Sequence, residues 1–221
     1  MKGDWLVWQM VDSAFPTGGF AHSAGLESAW QQGEVRSPEE LRDFIGYALV
    51  QQAAGALPFA LEARRRPEAF ADLDALLDAM LTNHVANRAS RAQGRALAAT
   101  AVDGFGMRDL YSLRPMLRAG RSPGHLAPVY GMVAAIERIP LADTGHMLMF
   151  THLRGLISAA VRLGIIGPLQ GQRLQRELST LGGDLAERAA DRTAEDAAQT
   201  SPMLDLLQAS HERLYSKLFV S

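Results

Sequence analysis

Acid–base or nucleophilic chemistry needs a carboxylate, a hydroxyl and an imidazole within reach of one another. The stretch from Asp12-Ser13 to His22 carries all three. Nothing in their spacing orders them as a triad, whose members are recognised by geometry rather than position. Ser13 also lacks the Gly-x-Ser-x-Gly elbow that exposes a nucleophile at a strand-to-helix turn. Paired histidine ligands on a helix stand three or four residues apart. No two of His22, His84, His125, His146, His152 and His211 do, and His146 and His152 point to different parts of a helix surface. Each reads as an ordinary structural histidine. Thr17-Gly18-Gly19-Phe20 precedes a predicted helix, so its amides are placed to cradle an anion. It lacks the Gly-Lys-Ser/Thr ending of a nucleotide loop and follows a helix rather than a strand. The plainer role is a turn, its two glycines free to take positive φ and fold the first helix back on the second. No catalytic residue, bound metal or cofactor is expected.

Composition narrows the field further. The chain has 221 residues, enough for one sizeable core without a staple. Cysteine is absent, which removes disulfides, thiolate nucleophiles and sulfur-rich metal sites. A formal net charge of −2, with the signs interspersed, gives no field for a polyanion, so nucleic acid is not an expected partner. Met1-Lys2-Gly3-Asp4-Trp5 lacks the apolar run of a secretory signal. The weakly charged stretch Ile139 to Leu153 contains Asp143 and is too short for a membrane span. A cytoplasmic protein with no membrane partner is the expectation.

The elements that must position these residues are helical. Ser37-Pro38-Glu39-Glu40 has a capping serine, a proline at the first helical position and a glutamate to complete a capping box. Leu41, Phe44, Ile45, Ala48 and Leu49 then mark one helix face. Leu174, Leu178, Leu181 and Leu185 mark another, which Gly182-Gly183 is expected to end or kink. Softer helices are predicted over Asp4–Asp12, Ala21–Gln32, Pro58–Arg66, Ala69–Leu81, Val85–Val102, Met107–Arg118, Ala127–Arg138 and Leu141–Arg162. Breaks fall at Pro16 to Gly19, Gly33, Pro67, Gly104 to Gly106, Ser122 to Gly124, Pro140 and Gly167-Pro168. Leu163 to Ile166 would pass for a buried strand but has no partner. The expected fold is therefore all-α, a single-domain bundle of about eight to ten helices spanning residues 1–221. Gly145, Gly155, Ser158 and Ala159 give one helix small faces that suit either a central core helix or a subunit seam.

The final dozen residues, Ser210 to Ser221, carry Leu214, Tyr215, Leu218 and Phe219 on helix-compatible spacing. Chain ends fray unless tied down. So apolar a terminus either docks on its own domain or folds against a partner.

Two of these segments resemble the urease accessory protein UreF family. Asp12 to Glu27 is similar to that family's pattern of Ser, then Pro-x-Gly-x-aromatic, then Ser-x-Gly-Leu-Glu. His211-Glu212, Tyr215-Ser216-Lys217-Leu218-Phe219 and Ser221 resemble its closing His-Glu-x-x-Tyr-Ser-Arg-Leu-Phe-x-Ser. Ser90 to Gly94, His125 to Gly131 and Ser158 to Leu163 resemble further landmarks in the same order. Lys217 and Val220 stand where arginine is common, leaving fewer bidentate donors. Gly164 to Leu169 departs from the usual bacterial form toward the plant-like one.

The resemblance implies a non-enzymatic scaffold that dimerises, binds a UreD-like protein (also called UreH), and recruits a UreG-like GTPase. That assembly delivers nickel to apo-urease. Carried over by position, the UreD-like contact falls on His211, Glu212, Tyr215, Ser216, Lys217, Leu218 and Phe219 in a docking tail at about 209–221. Pro16, Gly18, Gly19, Ser23, Gly25, Leu26 and Glu27 form a second candidate surface. His146 and Phe150 are candidates for the self-dimer and Arg162 for the GTPase. Two other readings stay open: a helical enzyme using Asp12, Ser13 and His22 or Glu27, and a helical ligand-binding regulator.

Overall fold

The computed structural model describes residues 2–110, 115, 117, 120 and 122–221, with side chains omitted at 2–4 and 109. The fold is all-α. Its helices are α1 (Lys2–Val11), α2 (Leu26–Gln31), α3 (Pro38–Gly55), α4 (Leu57–Arg65) and α5 (Phe70–Met80). They continue with α6 (His84–Asp103), α7 (Leu126–Ile136), α8 (Leu141–Arg162), α9 (Pro168–Arg188) and α10 (Pro202–Ser210). Among the described residues there is no strand, and Leu163 to Ile166 is a turn rather than a buried strand.

Helix α4 is the centre. Every residue from Leu57 to Ala63 is buried, as expected of a helix enclosed on all sides. Helix α7 lies against it so closely that a Cβ added at Gly131 would sit 2.1 Å from the Ala60 carbonyl oxygen. Helix α8 packs on α4 and α9, and α6 closes over α7. Helix α10 bridges α2 and α6. The α3–α4 pair is long and apolar enough to cross a membrane, a longer run than the Ile139 to Leu153 stretch. Two thirds of its window, 67%, is buried within the protein, so its apolarity serves the core.

Local chemistry explains the boundaries. Ser37 Oγ accepts from the Glu40 amide at 3.2 Å, but the Glu40 carboxylate reaches the Arg36 amide at 2.6 Å instead of closing the box on Ser37. Helix α8 begins and ends where its pattern predicts. It divides its small residues: Gly145 faces Leu57, Leu61 and Ala186, while Ser158 is exposed and Gly155 has open space around its Cα. Helix α9 continues through Gly182-Gly183 to Arg188, so the glycines do not end it. The predicted Ala21–Gln32 helix shrinks to α2, because Ala24 (φ 50°) and Gly25 (φ 88°) are left-handed. The predicted Met107–Arg118 helix starts as a 3₁₀ turn at Arg108–Leu110, and much of the rest lies outside the described residues.

Candidate functional site: the seam between the two ends of the chain

The Asp12–Glu27 segment and the terminal segment meet. After α10 a 3₁₀ turn spans His211–Arg213, and the chain then runs without helix to Ser221 although its apolar spacing is compatible with one. The Val220 amide donates to the Ala21 carbonyl at 2.8 Å, and the Ser23 amide donates to the Ser221 carbonyl at 2.6 Å. Ser23 Oγ donates to the same Ser221 oxygen at 3.2 Å, and His22 Nδ1 shares a hydrogen bond with Ser221 Oγ at 2.6 Å. Burial, and the neighbouring His211, push the His22 pKa below its ordinary value.

Beneath this seam lies Glu27, only 1% exposed. Its carboxylate accepts from His211 Nε2 at 2.8 Å, the Leu218 amide at 2.6 Å and the Phe219 amide at 3.1 Å. A buried carboxylate is tolerable only when donors replace its water, and the tail supplies three. Glycine is required nearby. Gly25 is left-handed, and a Cβ there would come within 3.2 Å of the Gln208 backbone nitrogen of α10.

The seam sorts the residues expected to meet a partner. Ser23, Gly25, Leu26, Glu27, His211 and Phe219 are buried in this chain. Within this chain they act as posts that hold the surface in place. Phe219 belongs to the hydrophobic core, with the Arg162 guanidinium 4.3 Å above its ring centroid. Arg162 also donates to the Phe20 carbonyl, so this exposed arginine is already committed to the seam. Pro16, Ser216 and Lys217 are exposed, and Gly18 and Gly19 are half-buried. The Lys217 ammonium donates to the Glu212 carbonyl at 3.0 Å. Beside these polar groups the seam also turns large apolar side chains outward: Tyr215 fully, Phe20 at 70%, Val220 at 67% and Leu218 at 52%. Phe20 and Val220 were not among the expected contacts, though Phe20 is the aromatic of the glycine-rich turn. His146 and Phe150 lie far along α8 from Arg162 and are both exposed.

The parts of the rival enzyme reading are not assembled. Asp12 accepts from the Ala14 amide at 2.6 Å, His22 is bound to Ser221, and Glu27 is covered by the tail. Among the described residues no three His, Asp or Glu side chains converge as metal ligands.

A different polar cluster, absent from the sequence reading as chemistry, joins α5, α6 and α7. Asp74 is fully buried and accepts from Ser122 Oγ and from the Gly124 and His125 amides, the latter two at 2.7 Å. His125 contacts Ser90 Oγ at 3.1 Å and Asp78 at 3.0 Å. This Ser-His-Asp grouping is a strut. Ser90 Oγ also accepts from the Leu126 amide at 3.2 Å, and His125 has no exposed surface. Burial holds the His125 pKa below its ordinary value although Asp78 opposes the shift. Gly94 is obligatory beside it, since a Cβ would fall 2.2 Å from the Gly124 carbonyl oxygen.

A family model for UreF matches residues 35–179. The chain is 41% identical over 219 residues to a protein named urease accessory protein F from Oryza sativa subsp. japonica, covering 97% of this chain and 84% of that one. It is 38% identical to the protein of the same name from Arabidopsis thaliana, with 98% and 92% covered. It is also 33% identical to the urease accessory protein UreF of an Arthrobacter strain, with 96% and 95% covered. Those alignments take in nearly the whole chain, whereas the family model stops short of both halves of the seam. The chain belongs to the UreF family of urease accessory proteins, a family of helpers rather than of enzymes.

Proposed function

We propose that the chain is a cytoplasmic, non-catalytic urease maturation factor. It binds a UreD/UreH-like protein through the seam, recruits a UreG-like GTPase, and supports nickel delivery to apo-urease. The observation that carries this reading is the exposed apolar set Phe20, Tyr215, Leu218 and Val220, held by buried hydrogen bonds from both ends of the chain. Large apolar groups on a rigid frame are what a protein interface uses as anchors. Nickel is cargo in this scheme and needs no resident site on the chain.

The decisive experiment is capture of the UreD-like protein. Phe20→Ala should weaken binding by about 2 kcal/mol, the scale of an interface anchor, without lowering the melting temperature. Adding Leu218→Asp should abolish capture. Full capture by the folded double variant would refute the seam as the docking surface. Removing Ser210 to Ser221 is a poorer test, because it also strips Phe219 from the core and uncovers Glu27. For the homodimer, Phe150→Asp should shift the chain toward monomer in size-exclusion chromatography if α8 carries the contact.

A further inference from the structure

Helix α6 carries a stripe that the proposed maturation role leaves unused. His84, Arg88, Arg91 and Arg95 follow one another at intervals of four, three and four residues, so they share a face. They line a groove of about 560 Å³ whose remaining wall includes Leu81 and Thr82. One carboxylate is already seated at its end. Glu212 accepts from Arg88 Nη2 at 2.5 Å and contacts His84 Nε2 at 2.8 Å. Arg88 first, then His84, holds the Glu212 pKa down at about 2. Farther along, Arg95 uses Nε on the Pro123 carbonyl at 3.1 Å. Arg91 faces the Asp78–His125 pair and makes no ion pair among the described residues. Of the three guanidinium groups only Arg88 has a carboxylate seated on it, and Asp78 is engaged by Asn87 and His125.

We infer that this groove is a second docking site, which takes an acidic extended segment of a partner polypeptide, with Glu212 as its built-in competitor. The seated carboxylate demonstrates the ligand chemistry. From His84 to Arg95 the helix rises roughly 16 Å. An extended peptide advances about 6.6 Å per two residues. Five residues with acids at alternate positions therefore match the stripe. The overall charge of −2 opposes a long polyanion such as nucleic acid, whereas a short acidic peptide meets only the local field.

The test uses the isolated full chain and the peptide acetyl-Glu-Ser-Glu-Ser-Glu-amide, without any accessory protein, so its failure leaves the seam reading standing. Wild type should bind the peptide weakly, and raising salt from about 50 to 500 mM should weaken it further. Glu212→Gln should tighten binding about 3- to 10-fold by freeing the occupied end. Arg95→Glu leaves the Glu212 contacts intact and should lower affinity at least about 10-fold. The inference is overturned if folded wild type and Glu212→Gln both ignore the peptide at millimolar concentration. It is equally overturned if the Gln-Ser-Gln-Ser-Gln analogue, inorganic phosphate or a single-stranded oligonucleotide binds as well as the acidic peptide.

Discussion

Asp74 and Glu27 are both buried carboxylates that take backbone amides from a distant segment, yet they tie down different things. Asp74 fastens the turn before α7 to α5, deep among helices whose backbones touch at Gly94 and Gly131. Glu27 fastens a short terminal run whose outer side is open to solvent. The same chemistry makes a strut in one place and a latch in the other. What separates them is whether the held segment can leave without opening the core.

Substitution at the two carboxylates breaks the comparison most directly. Asp74→Ala strands Ser122 Oγ and two amides that water cannot reach, so it should cost about 4 kcal/mol, read as a fall in the urea midpoint. Glu27→Ala should cost about 2 kcal/mol, because its freed amides can reach water as the tail lifts. Hydrogen exchange sharpens that contrast: the Leu218 and Phe219 amides should lose protection while those of Gly124 and His125 keep it. An Asp74→Ala variant as stable as wild type would dissolve the distinction.

A smaller effect concerns pH. His152 on α8 is partly buried, but its Nε2 is enclosed without a partner, and burial pushes its pKa down to about 4 despite the Ala48 carbonyl. The unfolded chain therefore binds a proton that the folded chain refuses, and stability falls as pH drops from about 6.5 toward 4. Between pH 7 and 5 the loss should be about 1–2 kcal/mol, with His22 and His125 acting in the same direction. His152→Leu should flatten that slope in thermal melts at a series of pH values. Smallest of all, Leu218→Ala should change stability by less than about 0.5 kcal/mol, as an exposed side chain should.

Helices with a long apolar period were legible from residues alone. Leu141–Arg162 is correct at both ends, and Ser37-Pro38 marks the start of α3. The conformation of the tail was not legible, for a physical reason. Leu214, Tyr215, Leu218 and Phe219 fit a helix, but Leu218 out, Phe219 in, Val220 out and Ser221 in is the alternation of an extended chain. Over so few residues the two periods cannot be told apart. The motifs at the two ends were visible. Their contact was not, since Ser23 and Ser221 stand 198 positions apart. The Asp74 strut was hidden likewise, because a buried carboxylate and an exposed one are spelled the same.

That 198-residue separation also sets an order of events during synthesis. Ser23 and Glu27 leave the ribosome early, but the groups that satisfy them are translated only after every helix in between. Closing so large a loop contributes late in folding. Until then Glu27 remains open to water, and a copy broken off before Leu218 can never cover it. The seam is thus completed only once Val220 and Ser221 reach Ala21 and Ser23, after the helices between them have formed.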